Sequence, residues 1–154
     1  MDNRIFADPG TAAFQVGKYP FFLLNKLMSR YNGIIEARLR TIGLDIPYWR
    51  VLLILGEHYP RGVRDIADAA VIPLSTMTRI IQRMAAAGFV MCEPSAEDAR
   101  VTVVSLSVLG QEKLVEARAA TSTIYKAVIT DFSARDFDRL LDLLARLGKN
   151  LDEI

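Results

Sequence analysis

Between Ala69 and Cys92 there is no acidic residue, although the 154-residue chain holds 18 Asp and Glu. The same stretch carries Ser75, Thr76, Thr78, Arg79, Gln82 and Arg83, interleaved with Met77, Ile80, Ile81 and Met84. At helical spacing these two sets fall on opposite faces. A polar face of this kind suits a polyanion with readable base edges. Small hydroxyl residues in the first turn permit close approach to a major groove, Arg can grip guanine through two hydrogen bonds, and Gln can do the same with adenine. A solvated helix face that lacks acids is the competing reading of these residues taken alone.

Asp98 and Arg100 form a second constellation. They stand two apart in a stretch expected to be extended, which would point both side chains the same way. A carboxylate beside a guanidinium holds it in one orientation. An Arg presented at a hairpin tip can then enter a narrow minor groove, where the negative potential is enhanced. By itself the pair also reads as an ordinary surface ion pair, worth little.

Other chemistry finds no constellation. Glu112, Glu116, Asp136, Asp138 and Asp142 lie among Lys and Arg on faces expected to be solvated. His58 has Glu57 beside it but no second His or Cys at metal-ligand spacing. Cys92 is the single cysteine, which excludes an intrachain disulfide, and its place beside Val90 and Met91 reads as a structural thiol. There is no Ser/His/Asp set, glycine-rich phosphate loop or metal motif. The expectation is a protein that is not an enzyme, with no catalytic residue, no metal site and no cofactor. Tyr31, Tyr48 and Trp49, with Phe14 and Phe22, could line a small-molecule cavity or could pack as core and dimer contacts.

These residues need elements to position them. Residues 1–10 read as a loose arm with Asp8, Pro9 and Gly10 as a turn. The pattern is helical from about Thr11 to Thr41, with Pro20 as a kink or a start and Gly43 as the end. Pro47 suits the first turn of a second helix that runs to Gly56. A break at Pro60, Arg61 and Gly62 precedes a short helix, Val63 to Ala70, and a tight connection leads to the helix Leu74–Ala87, stopped by Gly88. Phe89–Glu93 and Val101–Leu106 are the strand candidates, flanking a polar tip. Ser107 should cap a fifth helix to about Ile129, and Ser133 a sixth from Ala134 to Leu151.

The expected fold is mostly α with a small β hairpin: a winged helix-turn-helix at about 47–107 within a single domain, 1–154. The helices at about 11–41 and 108–154 exceed what that unit needs and read as a dimerisation arm. Phe137, Leu140, Leu141, Leu144, Leu147 and Leu151 make an apolar stripe, and with Phe21, Leu24 and Met28 they predict a homodimer. The formal charge of +1 gives no global nucleic-acid signature, so any DNA-binding surface must come from local clustering. No apolar run approaches the ~20 residues of a membrane span, and the N-terminus lacks a signal-peptide pattern. A cytoplasmic protein without membrane contact is expected.

The stretch from Leu74 through Thr78 and Arg79 to Gly88, Phe89 and Val90, the wing residues Asp98 and Arg100, and the run Leu106, Ser107, Val108, Leu109, Gly110 together resemble the MarR family of regulators. That family shows a Ser/Thr-rich helix start, Thr-Arg within the helix, Gly followed by an apolar pair, Asp-x-Arg in the wing, then Leu-Thr-x-x-Gly. Ser107 stands here in place of the Thr. The resemblance covers nearly the whole chain. It implies a triangular dimer, with the helix beginning near Leu74 in the major groove, Arg100 reaching the minor groove, and an operator that is an imperfect palindrome. It also implies a small, often aromatic, effector between arm and reader. The family often has basic residues where this chain has Cys92, Glu93 and Ala99. That departure slightly favours an alternative, a winged-helix module that binds protein instead of DNA. Arg79, Arg83 and Arg100 argue against it.

Overall fold

The computed structural model describes residues 2–154. By contacts the chain divides into two compact units, Met1–Thr121 and Ser122–Ile154.

The first unit opens with a four-residue helix, α1 (Arg4–Ala7), and a single 3-10 turn at Val16–Lys18. The long helix α2 spans Pro20–Arg40, so the helix expected from Thr11 starts nine residues later. Pro20 is the reason. Its ring disfavours helical geometry at Tyr19, which is extended at φ −78°, ψ 113°, while its own fixed φ suits a first helical position. Next come α3 (Ile46–Glu57), β1 (Arg61–Gly62), α4 (Val63–Ala70) and α5 (Leu74–Ala86). Asp45 caps α3 by accepting from the Tyr48 N–H at 2.8 Å. Strands β2 (Val90–Pro94) and β3 (Thr102–Leu106) form the hairpin. The sheet has three strands in the order β1-β3-β2, all antiparallel, with Arg61 opposite Val104. The residues expected to be a break are therefore an edge strand. Two residues carry no period by which alternation could reveal them.

The core of this unit joins Ile35 and Leu39 of α2, Val51, Leu52 and Leu55 of α3, Ile66 of α4, Met77 and Met84 of α5, and Val104 and Leu106 of β3, all at most 3 % exposed. Burial of this order contributes roughly 1.5–3 kcal/mol per large side chain before entropy is charged against it. Val104 and Leu106 face inward as alternation requires, and Thr102, on the same side, lies beyond the core's edge.

One joint ties α5 to the hairpin and to α6 (Val108–Val128). Gly88, at φ 81°, ends α5 in the left-handed region, and the Phe89 N–H returns to the Met84 carbonyl at 2.9 Å. The Ser107 hydroxyl donates to the Gly88 carbonyl and accepts from the Gly110 N–H, while the Ser107 N–H donates to the Phe89 carbonyl. A side chain at Gly110 would overlap that same Phe89 carbonyl. The spacing from Gly88 to Gly110 is thus a closed set of hydrogen bonds at the base of the hairpin.

The second unit holds the end of α6 and helix α7 (Ala134–Asp152). A reciprocal capping box between Ser133 and Asp136 starts α7. Tyr125 and Phe137 meet edge to face at 6.4 Å. No residue of α7 is buried. Among the described residues no helix is long and apolar enough to cross a membrane.

Candidate nucleic-acid interface

Helix α4, the connection Val71–Pro73 and helix α5 make a helix-turn-helix, and β2 and β3 make its wing. The connection turns on Val71, which sits in the left-handed region at φ 55°, ψ 49°. Its neighbour's N–H, on Ile72, reaches back to the Ala67 carbonyl at 3.0 Å and closes α4. Pro73 then starts α5 with no side-chain cap. The first-turn N–H groups are left open to an anion, at the end where the helix dipole favours one.

Met77, Ile80, Ile81 and Met84 are at most 3 % exposed and dock α5 on the core. Ser75, Thr76, Thr78, Arg79, Gln82 and Arg83 are all exposed. The division expected from the spacing is present residue for residue. Thr78 is partly committed, since its hydroxyl donates to the Leu74 carbonyl at 2.9 Å. Its methyl and an oxygen lone pair remain for a partner.

The wing tip brings Asp98 and Arg100 together, though not by strand alternation. The Asp98 carboxylate accepts from the Arg100 backbone N–H, from Nε and from Nη2, each at 3.0 Å. This is a turn in which the aspartate bonds to the backbone two residues on. The Val101 N–H donates to the Asp98 carbonyl and the Ser95 N–H to the Val101 carbonyl, so the tip is braced from within. The Arg100 side chain is 91 % exposed. Its guanidinium holds the Asp98 carboxyl below the usual carboxylate range.

Arg64 of α4 joins this face and was not singled out by the sequence, where neighbouring Asp65 and Asp68 give it the look of an ordinary solvated residue. With Thr78, Gln82, Cys92 and Thr102 it lines a recess of about 370 Å³ between α5 and the wing, and no carboxylate takes part. Cys92 is exposed on β2 rather than packed in the core, and partial desolvation pushes its thiol up, away from the reactive thiolate. His58 is occupied as an acceptor for Arg61 Nε at 2.9 Å. Among the described residues no group of three His, Cys, Asp or Glu could hold a metal.

The three aromatics expected to share a cavity part company. Tyr31 and Trp49 line a cavity of about 550 Å³ with Met28, Asn32, Arg50 and the Ala70–Val71 turn. Trp49 is buried, and its indole N–H has no hydrogen-bond partner among the described residues. Arg50 reaches from the cavity wall to the Ala70 carbonyl at 3.4 Å. Tyr48 is not part of this cavity. Adjacent helical residues point about 100° apart, and its ring lies under Arg83, with the guanidinium carbon 5.7 Å from the centroid.

Comparison with known proteins accords with this geometry. A family model described as MarR matches residues 44–102. The HTH-type transcriptional repressor IacR of Pseudomonas putida is 32% identical over 147 residues, spanning 96% of this chain and 88% of the relative. A MarR-family transcriptional regulator from Silicibacter pomeroyi superposes with a TM-score of 0.80 at 21% identity, over 88% of this chain and 92% of that one. The transcriptional repressor CouR, solved bound to a 23-mer DNA duplex, gives a TM-score of 0.75 at 21% identity, over 86% and 94%.

Proposed function

This chain belongs to the MarR family of DNA-binding transcriptional regulators, and from that footing we propose that it represses its targets as a homodimer released from DNA by a small molecule. The observation that carries the DNA part is the pairing of an acid-free, exposed α5 face with an Arg100 already fixed by Asp98. In this reading Ser75, Thr76, Thr78, Arg79 and Arg83 meet the major groove. Arg100 enters the flanking minor groove, drawn by its potential rather than by base edges. Repression is the activity carried in the name of the Pseudomonas putida relative.

The dimer is supported by the apolar faces that a single chain leaves open. On α2, Phe21, Phe22, Leu27 and Met28 are 44–57% exposed, and on α7 Leu141 and Leu151 are 52% and 57% exposed. The effector site is the cavity at Tyr31 and Trp49. It offers an aromatic wall, an indole donor lacking an acceptor and the Arg50 cation. Part of its wall is the turn that leads into α5, so an occupant acts on the reader helix through that turn. A ligand of this kind shifts the protein only by binding one arrangement better than the other.

Selection of bound fragments from random DNA tests the proposal. Two α5 helices related by a two-fold axis should enrich an imperfect palindrome with half-site centres about 34–36 Å apart. Asymmetric fragments, or none, would overturn it. On the selected operator, small aromatic molecules should release DNA while changing the fluorescence of Trp49, the single tryptophan. Release without any change at Trp49 would move the effector site elsewhere.

A further inference from the structure

Arg83 has no carboxylate or carbonyl paired with its guanidinium among the described residues. The guanidinium lies instead over the face of Tyr48, its carbon 5.7 Å from the ring centroid. Tyr48 is itself held from two sides. Its backbone N–H donates to the Asp45 cap at 2.8 Å, and its ring meets Phe89 edge to face at 6.2 Å and 86°. The Phe89 backbone is fixed in turn by Ser107 and Gly110. The ring under Arg83 is therefore anchored both to the start of α3 and to the joint at the base of the hairpin.

We infer that Tyr48 is a positioning residue for DNA recognition: its ring aims the Arg83 guanidinium at the DNA while leaving every one of its N–H donors free. This rests on the reading that the exposed face of α5 meets DNA. The chemistry separates an aromatic from an acidic support. A carboxylate holds a guanidinium by taking its donors, as Asp98 takes Nε and Nη2 of Arg100, and it sets a negative charge near phosphates. An aromatic face attracts the cation through its quadrupole and consumes no donor. Arg83 can then present its fork to a base edge or a phosphate with less rotamer freedom left to lose on binding. The two arginines are thus supported by different means: donors kept free on the reader helix, donors partly committed in the wing, where charge and shape matter more than base edges.

The test measures affinity for the selected operator, and for single-base variants of it, with Tyr48→Phe, Tyr48→Leu, Arg83→Ala, the Tyr48→Leu/Arg83→Ala pair, and ring-fluorinated phenylalanine at position 48. Tyr48→Phe should bind within about twofold of the natural protein, and Tyr48→Leu should lose roughly twofold to thirtyfold, the span of such contacts. Tyr48→Leu should also flatten discrimination at the base pair whose identity Arg83→Ala ceases to read. In the Arg83→Ala background it should cost nothing more. The fluorinated rings keep the shape while weakening the quadrupole, so affinity should fall stepwise with fluorination even if the leucine variant folds poorly. Equal losses from Tyr48→Leu with and without Arg83, or indifference to fluorination, would overturn the inference while leaving DNA binding intact. Unchanged binding by Arg83→Ala would remove the premise that this arginine faces DNA. Damage by Tyr48→Phe equal to that by Tyr48→Leu would assign the effect to the hydroxyl and overturn the aromatic support.

Discussion

Asp98 is an acid placed where a DNA-binding surface should avoid one, so its effect separates two accounts of the wing. If the wing works by charge alone, Asp98→Ala removes a repulsion from phosphate and tightens binding. If it works by orientation, the same substitution frees an arginine that three hydrogen bonds now hold, and binding weakens. We expect weaker binding, together with a smaller preference for A·T pairs beside each half-site. Titration of a labelled operator at two salt concentrations reads both, and tighter binding with the flanking preference intact would reject the oriented arginine. The acidity shift adds a sign. Asp98 is charged throughout the neutral range like any aspartate, and because Arg100 lowers its pKa the carboxylate keeps its charge further into acid. Orientation is present above the ordinary carboxylate pKa and is lost only as pH falls through the lowered one.

At the scale of elements, the reader is held by α4, the turn and the joint at Gly88. The turn carries a valine in left-handed geometry, where β-branched residues are rare and each L residue costs about 1–2 kcal/mol. Val71 is 87 % exposed, so little packing depends on it. Val71→Gly should therefore raise stability by about 0.5–1 kcal/mol, the relief of strain exceeding the added freedom of the unfolded chain. Denaturant titration measures this, and a loss of stability would show that the cavity wall needs the side chain. The elements legible in the sequence were those with a period or a cap: α4, α5, α6 behind Ser107 and α7 behind Ser133. The buried and exposed faces of α5 followed from spacing alone. Strand β1 was too short to have a pattern. The start of α2 turned on whether Pro20 kinked a helix or opened one, and spacing fits both. Of the site, the α5 face was readable, but the support of each arginine was not. Asp98 meets Arg100 through a turn rather than through alternation, and Tyr48 reaches Arg83 across helices that lie far apart in sequence.

At the scale of the whole molecule, sedimentation at micromolar concentration should give about twice the chain mass. Leu141→Glu with Leu144→Glu should give single chains that bind half-sites weakly, because charge on an apolar stripe opposes its burial. A monomer in the natural protein would remove the symmetric operator as well. The absence of any buried residue in α7 has a further consequence. A 19-residue amphipathic helix is only marginally stable without a partner to pack against. If a second chain supplies that partner, folding of this segment becomes a matter of mass action, and its stability rises with protein concentration. Newly made chains at low copy number would keep frayed, protease-accessible C-termini. Chains above the dissociation constant would be protected. The quantity of regulator in the cell would then follow a threshold in synthesis rate, with scarce protein cleared and abundant protein retained.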